Sequence, residues 1–227
     1  MPTTLPRQNT SKGRREHAKA DSAPTYQARR EEIIAAAGRA FLIKGFDATS
    51  FRDIAEAVGV DRASLYYYFS SKQDLFHIAT SAAVARNVRE AERVARSDVS
   101  SLEKVDQILS QLLESYTKTD YPYMFIFLQE DVNRISDDPS EAWAREMNAL
   151  TRRYERALSR IISEGVEQGT FEDVAPPHVL AKALIGMANW THRWYREDGR
   201  MSAADIANAF TRVFLGGVCT PAARRRL

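Results

Sequence analysis

Signals that start and stop helices recur along most of this chain, and they constrain its fold more than any other feature. Ser50 with Asp53, Ser71 with Asp74, Ser100 with Glu103 and Ser202 with Asp205 all have the spacing of a capping box. In that arrangement a hydroxyl and a carboxylate three residues apart satisfy backbone N–H groups that have no intrahelical partner. Asp138-Pro139-Ser140-Glu141 supplies a cap, a proline at the first helical position and an acid in the first turn, and Pro176-Pro177 opens another helix. Gly45, Gly59 and Gly169 stand where helices must stop. Between these marks the apolar residues recur at helical spacing, as in Ile33, Ile34, Ala37, Phe41 and Leu42. The pattern predicts about nine helices, over 27–44, 50–58, 62–69, 71–96, 100–118, a run from Pro122, 138–168, 177–195 and 202–215. No segment reads as a strand, so the fold class is all-α.

Composition narrows the function. No window approaches a membrane-spanning run of apolar residues, and the N-terminus is polar and basic where a secretory signal needs an apolar stretch. One cysteine, Cys219, builds neither a disulfide framework nor a cysteine zinc site; a cytoplasmic protein is expected. The four histidines are scattered. His178 and His192 share a predicted helix but lie about 21 Å apart along it, so they cannot share a metal. No phosphate-binding glycine loop, zinc-protease motif or nucleophile elbow is present. The expectation is therefore no enzyme, no cofactor and no metal.

The net charge of +2 hides an asymmetry. Residues 1–72 carry 12 basic against 8 acidic side chains, while residues 73–218 carry 17 against 22. A basic end on an acidic body suits contact with a polyanion. Residues 1–24 read as a disordered basic arm whose Arg7, Lys12, Arg14, Arg15 and Lys19 add phosphate or minor-groove contacts.

Residues 50–72, SFRDIAEAVGVDRASLYYYFSSK, are two short helices around a turn at Gly59, with Ala55 small where they must pack. This is the logic of a helix-turn-helix, whose second helix enters the DNA major groove. At about 100° per residue, Leu65, Phe69 and Tyr68 face the core, Ala63 and Tyr67 point away, and Arg62, Ser64 and Tyr66 flank the outward face. Tyrosines on an exposed face invite a partner: hydroxyls can donate to phosphates, and rings and methyls can pack on thymine. Ser50 and Arg52 at one helix start, and Lys72 at the next, suit phosphates.

The stretch from Arg29 to Phe76, IIAAAGRAFLIKGFDATSFRDIAEAVGVDRASLYYYFSSKQDLF in its main part, resembles the N-terminal domain of the TetR/AcrR transcriptional regulators. The resemblance implies a three-helix DNA-binding domain on a helical effector and dimerisation domain, a homodimer on a palindromic operator, and repression released by a small ligand. It carries DNA contact to Ser50, Arg52, Arg62, Ala63, Ser64, Tyr66, Tyr67 and Lys72. Tyr68 departs from the histidine common in relatives. The domain boundaries expected are 25–72 for DNA binding, 73–218 for effector and dimer, and 219–227 for a basic tail.

In the body, helix 177–195 shows two apolar rows, Val179, Ala183, Gly186, Trp190 and Trp194 on one side and Leu180, Leu184 and Met187 on the other. Two rows imply two buried sides, one of them against a second chain, with Ala203, Ile206, Phe210, Val213 and Phe214 as the matching stripe on 202–215. Met124, Phe127, Trp143, Met147 and Trp190 suit an apolar effector pocket, with Gln129, Asn189 and Arg193 as polar groups to orient the ligand. Arg193-Trp194-Tyr195-Arg196 and the FTRVFLGGV segment resemble the repressors of the same family that sense acyl-CoA thioesters in steroid or fatty-acid catabolism. That resemblance implies a thioester effector whose charged end meets Arg193. Two other readings stay open: an activator or ligand-independent regulator, and a helical acyl-CoA-binding or scaffold protein.

Overall fold

The computed structural model describes residues 23–115, 142–196 and 198–225. Among them are nine α-helices: α1 Ala23–Lys44, α2 Phe51–Val58, α3 Arg62–Tyr68, α4 Lys72–Arg96, α5 Ser101–Glu114, α6 Ala142–Glu167, α7 Pro177–Asn189, α8 Ala203–Val218 and α9 Pro221–Arg224. No strand occurs among the described residues, only an isolated bridge between Phe171 and Cys219. The fold is all-α, as the sequence predicts. The chain divides into two compact units with the boundary between Phe76 and His77.

The first unit is built around aromatic rings. Phe41 from α1, Phe46 from the following loop and Phe76 from α4 lie 5.1–5.7 Å apart, ring centre to ring centre. Ile33, Ile54, Leu65 and Phe69 complete the core, all essentially inaccessible to solvent. Thr49 is buried in the loop, and its hydroxyl donates to the carbonyls of Gly45 and Ala40.

In the second unit α8 packs on α5, and α7 and α5 pack on α6. Polar ties cross these apolar contacts. Lys104 of α5 is buried and donates to both carboxylate oxygens of Glu164 on α6, at 2.9 and 2.8 Å. Thr211 of α8 donates to Asp106 of α5. Cys219 is buried, and burial pushes its thiol up, as suits an inert residue.

Several boundaries differ from expectation. α1 starts at Ala23, so the last two residues of the expected arm are helical. The expected helix from Pro122, and the start signal at 138–141, lie outside the described residues. α7 stops at Asn189, not near Tyr195, and Trp190–Arg193 form a 3₁₀ turn. The cause lies in two side chains: the Thr191 hydroxyl bonds the Ala188 carbonyl at 2.6 Å, and His192 Nδ1 bonds that of Asn189 at 2.6 Å. Bonds back to the third preceding carbonyl tighten the last turn. α8 runs three residues past its expected end. Thr220, with Pro221 at the first helical position, then caps α9, which the pattern did not reveal.

Gly165 of α6 is needed for the return of the chain. The Phe171 ring packs so close that an added Cβ would overlap it, and the backbone N–H groups of Thr170 and Phe171 both bond the Gly165 carbonyl. Alanine gains roughly 0.5–1 kcal/mol over glycine within a helix, but overpacking costs about 1–3 kcal/mol. Gly165→Ala is therefore expected to lower the thermal midpoint, and pairing it with Phe171→Leu should recover part of the loss in the same melting experiment.

Candidate nucleic-acid interface

The interface is set by two caps and a turn. The Ser50 backbone N–H and hydroxyl donate to Asp53 Oδ2 at 2.8 and 2.7 Å, and the Asp53 N–H donates back to Ser50 Oγ at 3.2 Å. Lys44 Nζ at the end of α1 reaches Asp53 Oδ1 at 2.7 Å. Together these donors hold the Asp53 carboxyl far below the usual carboxylate range, the Lys44 bond contributing most. Gly59 adopts φ +74° and closes α2, a left-handed conformation that costs glycine little. Asp61 then caps α3, accepting from the Ser64 N–H and hydroxyl, each at 2.8 Å. Asp61 was missed from sequence, although Asp three residues before Ser is a recognisable cap.

Leu65 of α3 and Phe69 just after it are buried, as the helical wheel places them, and Arg62 and Ala63 are exposed. Tyr66 is 40% exposed, its ring 5.0 Å from that of Phe51. Arg62 lies over the Tyr66 ring and donates to its hydroxyl at 3.0 Å, so the two form one outward-facing unit. Tyr67 differs from expectation, whereas Tyr68 packs inward as the wheel places it. Tyr67 does not stand clear of the fold; it is half-buried, edge-on to Tyr26 of α1 at 5.8 Å and to Tyr68 at 5.0 Å. Tyr68 stacks on Tyr26 at 4.9 Å, and burial pushes its hydroxyl pKa up. The first turn of α1 covers this edge of α3, which no local pattern within 50–72 could reveal.

The cations at the edges are already engaged. Arg52 Nε bonds Glu56 Oε1 at 2.8 Å, both side chains exposed. A surface pair of this kind contributes little, so a phosphate can compete for it. Lys72 donates to the carbonyls of Phe46 and Asp47 at 2.8 and 3.2 Å and sits 4.3 Å from the centre of the Phe46 ring. Its ammonium ties the loop before α2 to the start of α4, rather than standing free toward solvent. Ser50 likewise serves as a cap residue, and Ser64 donates to the cap Asp61.

The residues expected around an effector do not share one environment. Met124, Phe127 and Gln129 lie outside the described residues. Trp143 and Met147 are buried on α6; the indole N–H donates to Ser81 at 3.1 Å and the ring stacks on His77 at 4.0 Å. Asn189, Trp190 and Arg193 lie at the end of α7, where Trp190 is 61% exposed with Arg193 over its ring. Trp190 extends the outward row of α7 instead of lining an internal wall. An apolar void among α5, α6 and α7, enclosed by Val105, Ile108, Leu158, Ile161, Ile162 and Leu184, measures only about 10 Å³, roughly room for one water.

The expected second face of α7 is exposed. Val179, Ala183, Gly186 and Trp190 face solvent, while Ala181, Leu184 and Ala188 are buried. On α8 the buried row is Ile206, Ala207, Thr211, Phe214 and Leu215. Val213, expected in that stripe, is 67% exposed beside the open Gly216 and Gly217. A Cβ at Gly186, Gly216 or Gly217 would meet nothing within 4 Å. No helix among the described residues is long and apolar enough to cross a membrane. No group of three or more His, Cys, Asp or Glu side chains is arranged for a metal among them.

Comparison with known proteins places this geometry. The family model described as bacterial regulatory proteins, tetR family, matches residues 33–86, and that described as tetracyclin repressor-like, C-terminal domain, matches residues 98–218. The HTH-type transcriptional repressor KstR2 of Mycolicibacterium smegmatis is 24% identical over 191 residues, spanning 84% of this chain and 90% of the relative. The crystal structure of the TetR family transcriptional regulator PfmR from Thermus thermophilus has a TM-score of 0.72 at 30% identity, covering 81% of this chain and 97% of that one. That of AibR in complex with isovaleryl coenzyme A and operator DNA has a TM-score of 0.70 at 20% identity, covering 82% and 97%.

The cap of α2 carries a pH dependence. A carboxyl whose folded pKa is depressed contributes stability above its unfolded pKa, and that contribution fades as pH falls through the folded value. Asp53→Asn is therefore expected to lower the thermal midpoint at pH 7, with the gap from wild type narrowing as pH drops below about 3.9. Melts at pH 7 and pH 3 check it.

Proposed function

This chain belongs to the TetR family of bacterial regulatory proteins, and from that premise we propose that it is a homodimeric repressor released from a palindromic operator by an acyl-CoA thioester. The observation that carries the DNA-binding part is the outward unit of Arg62, Ala63 and Tyr66 on α3, the second helix of the helix-turn-helix. The side chains are short or pre-organised, as base-edge readout requires. Arg52 can exchange Glu56 for a phosphate, and Ser50 and Ser64 hold the two helix starts whose N–H groups face the backbone. Tyr67, braced by Tyr26, offers a hydroxyl at fixed geometry. Lys72 supports the interface by fixing the loop before α2.

The exposed row of α7 and the open glycines of α8 support dimerisation. Glycine within a helix costs roughly 0.5–1 kcal/mol relative to alanine, and nothing in the monomer explains Gly186, Gly216 and Gly217. Close approach of a second copy of the same helices does, giving an isologous four-helix contact. Gly186→Arg should leave the fold intact, since the space is open in one chain. Sedimentation is expected to shift from twice 25.6 kDa to the single-chain mass, with operator affinity falling at least tenfold.

The effector class is supported by AibR, whose complex holds isovaleryl coenzyme A and operator DNA, and by the Arg193–Trp190 pair at the end of α7. Effector binding in the helical body would favour a spacing of the two α3 helices that no longer matches half-sites about 34–36 Å apart. Fluorescence anisotropy on duplexes tiling the DNA upstream of its own gene tests this reading. Tight, sequence-selective binding that Tyr67→Ala abolishes, and that an acyl-CoA weakens, is expected. Binding that is weak and erased by salt on every duplex would count against it.

A further inference from the structure

Among the described residues of the acidic body is a strongly basic depression. It lies between the last turns of α4 and the middle of α6, measures about 150 Å³ and is lined by Arg96, Arg153, Arg156 and Arg160 with a single acid, Glu92. Its remaining lining residues, Ala95 and Ala157, are both buried. Two small residues at the bottom of four long ones leave a hollow with guanidinium walls.

The charges do not cancel. Arg153 holds Glu92 in a bidentate pair at 2.8 and 2.9 Å, and Arg96 approaches the same carboxylate at 3.7 Å. These arginines hold the Glu92 carboxyl below its ordinary range, with the Arg153 bonds the main cause. Arg156 and Arg160 form no ion pair among the described residues. The lining therefore carries three positive charges beyond what Glu92 neutralises, in a region of sequence where acids outnumber bases. Arginine does not relieve this repulsion by losing a proton. The unpaired guanidiniums retain N–H donors in the fork geometry that matches phosphate oxygens two at a time.

We propose that this depression is a binding site for a diphosphate group. Its charge calls for a multivalent anion, and its volume suits a compact one: a cavity of about 150 Å³ admits a molecule the size of benzene. No aromatic side chain lines it, so it provides for the phosphates and not for stacking a base. Free pyrophosphate and the diphosphate of a nucleotide or of coenzyme A share this chemistry, and the rest of the ligand would extend into solvent.

Isothermal titration of the full-length protein with sodium pyrophosphate, at ionic strength held constant with chloride, tests the site. Saturable binding is expected, at least tenfold weaker in Arg156→Ala/Arg160→Ala. Arg145→Ala changes charge on the same helix outside the depression and should leave affinity unaltered. ADP or coenzyme A binding more tightly than pyrophosphate, with the same loss in the double variant, would assign the diphosphate to that larger molecule. Equal or weaker binding would assign it to the free anion. No saturation with pyrophosphate, or equal losses in the double variant and Arg145→Ala, would overturn the proposal.

Discussion

Three phenylalanine rings tie the first unit together. Phe41, Phe46 and Phe76 come from α1, the loop and α4, and their mutual packing closes the first unit. Burying each contributes roughly 1.5–3 kcal/mol. Lys72 lies over the Phe46 ring and bonds the consecutive carbonyls of Phe46 and Asp47 in the turn. With that loop fixed, Ser50 is placed to cap α2, Gly59 to end it and Asp61 to start α3. Lys72 thus contributes to the first unit through packing and backbone hydrogen bonds.

Local signals were legible and tertiary ones were not. Ser50–Asp53, Ser100–Glu103 and Ser202–Asp205 all form complete capping boxes, because a cap depends on atoms within four residues of one another. The buried face of α3 was readable for the same reason: Leu65 and Phe69 are one turn apart. Tyr67 was misplaced because its neighbour, Tyr26, is 41 positions away in the chain. The early end of α7 escaped because apolar periodicity does not register the side-chain bonds of Thr191 and His192 that tighten the last turn.

The same distinction separates the two parts of the candidate site. An α3 surface for DNA needs one helix correctly oriented, and periodicity supplies the orientation. An effector pocket needs side chains from several helices to converge, and periodicity says only that each is apolar. Trp143 and Trp190 look alike in sequence, yet one stacks on His77 inside the bundle and the other lies under Arg193 at the surface. Periodicity separated α7 into two rows, of which the structure buries one and exposes the other.

Arginine placement in the second unit extends this point. Glu92 and Arg153 are 61 residues apart, and only the packing of α4 beside α6 turns two scattered rows of charge into a hollow. Regional charge counts predicted an acidic body and concealed a local excess of opposite sign. Net charge governs the field at long range, which salt screens within about 8 Å at physiological strength. Inside that distance four guanidiniums around two alanines outweigh the surplus of acids elsewhere. A multivalent anion therefore meets an attractive site on a body whose composition alone would repel it.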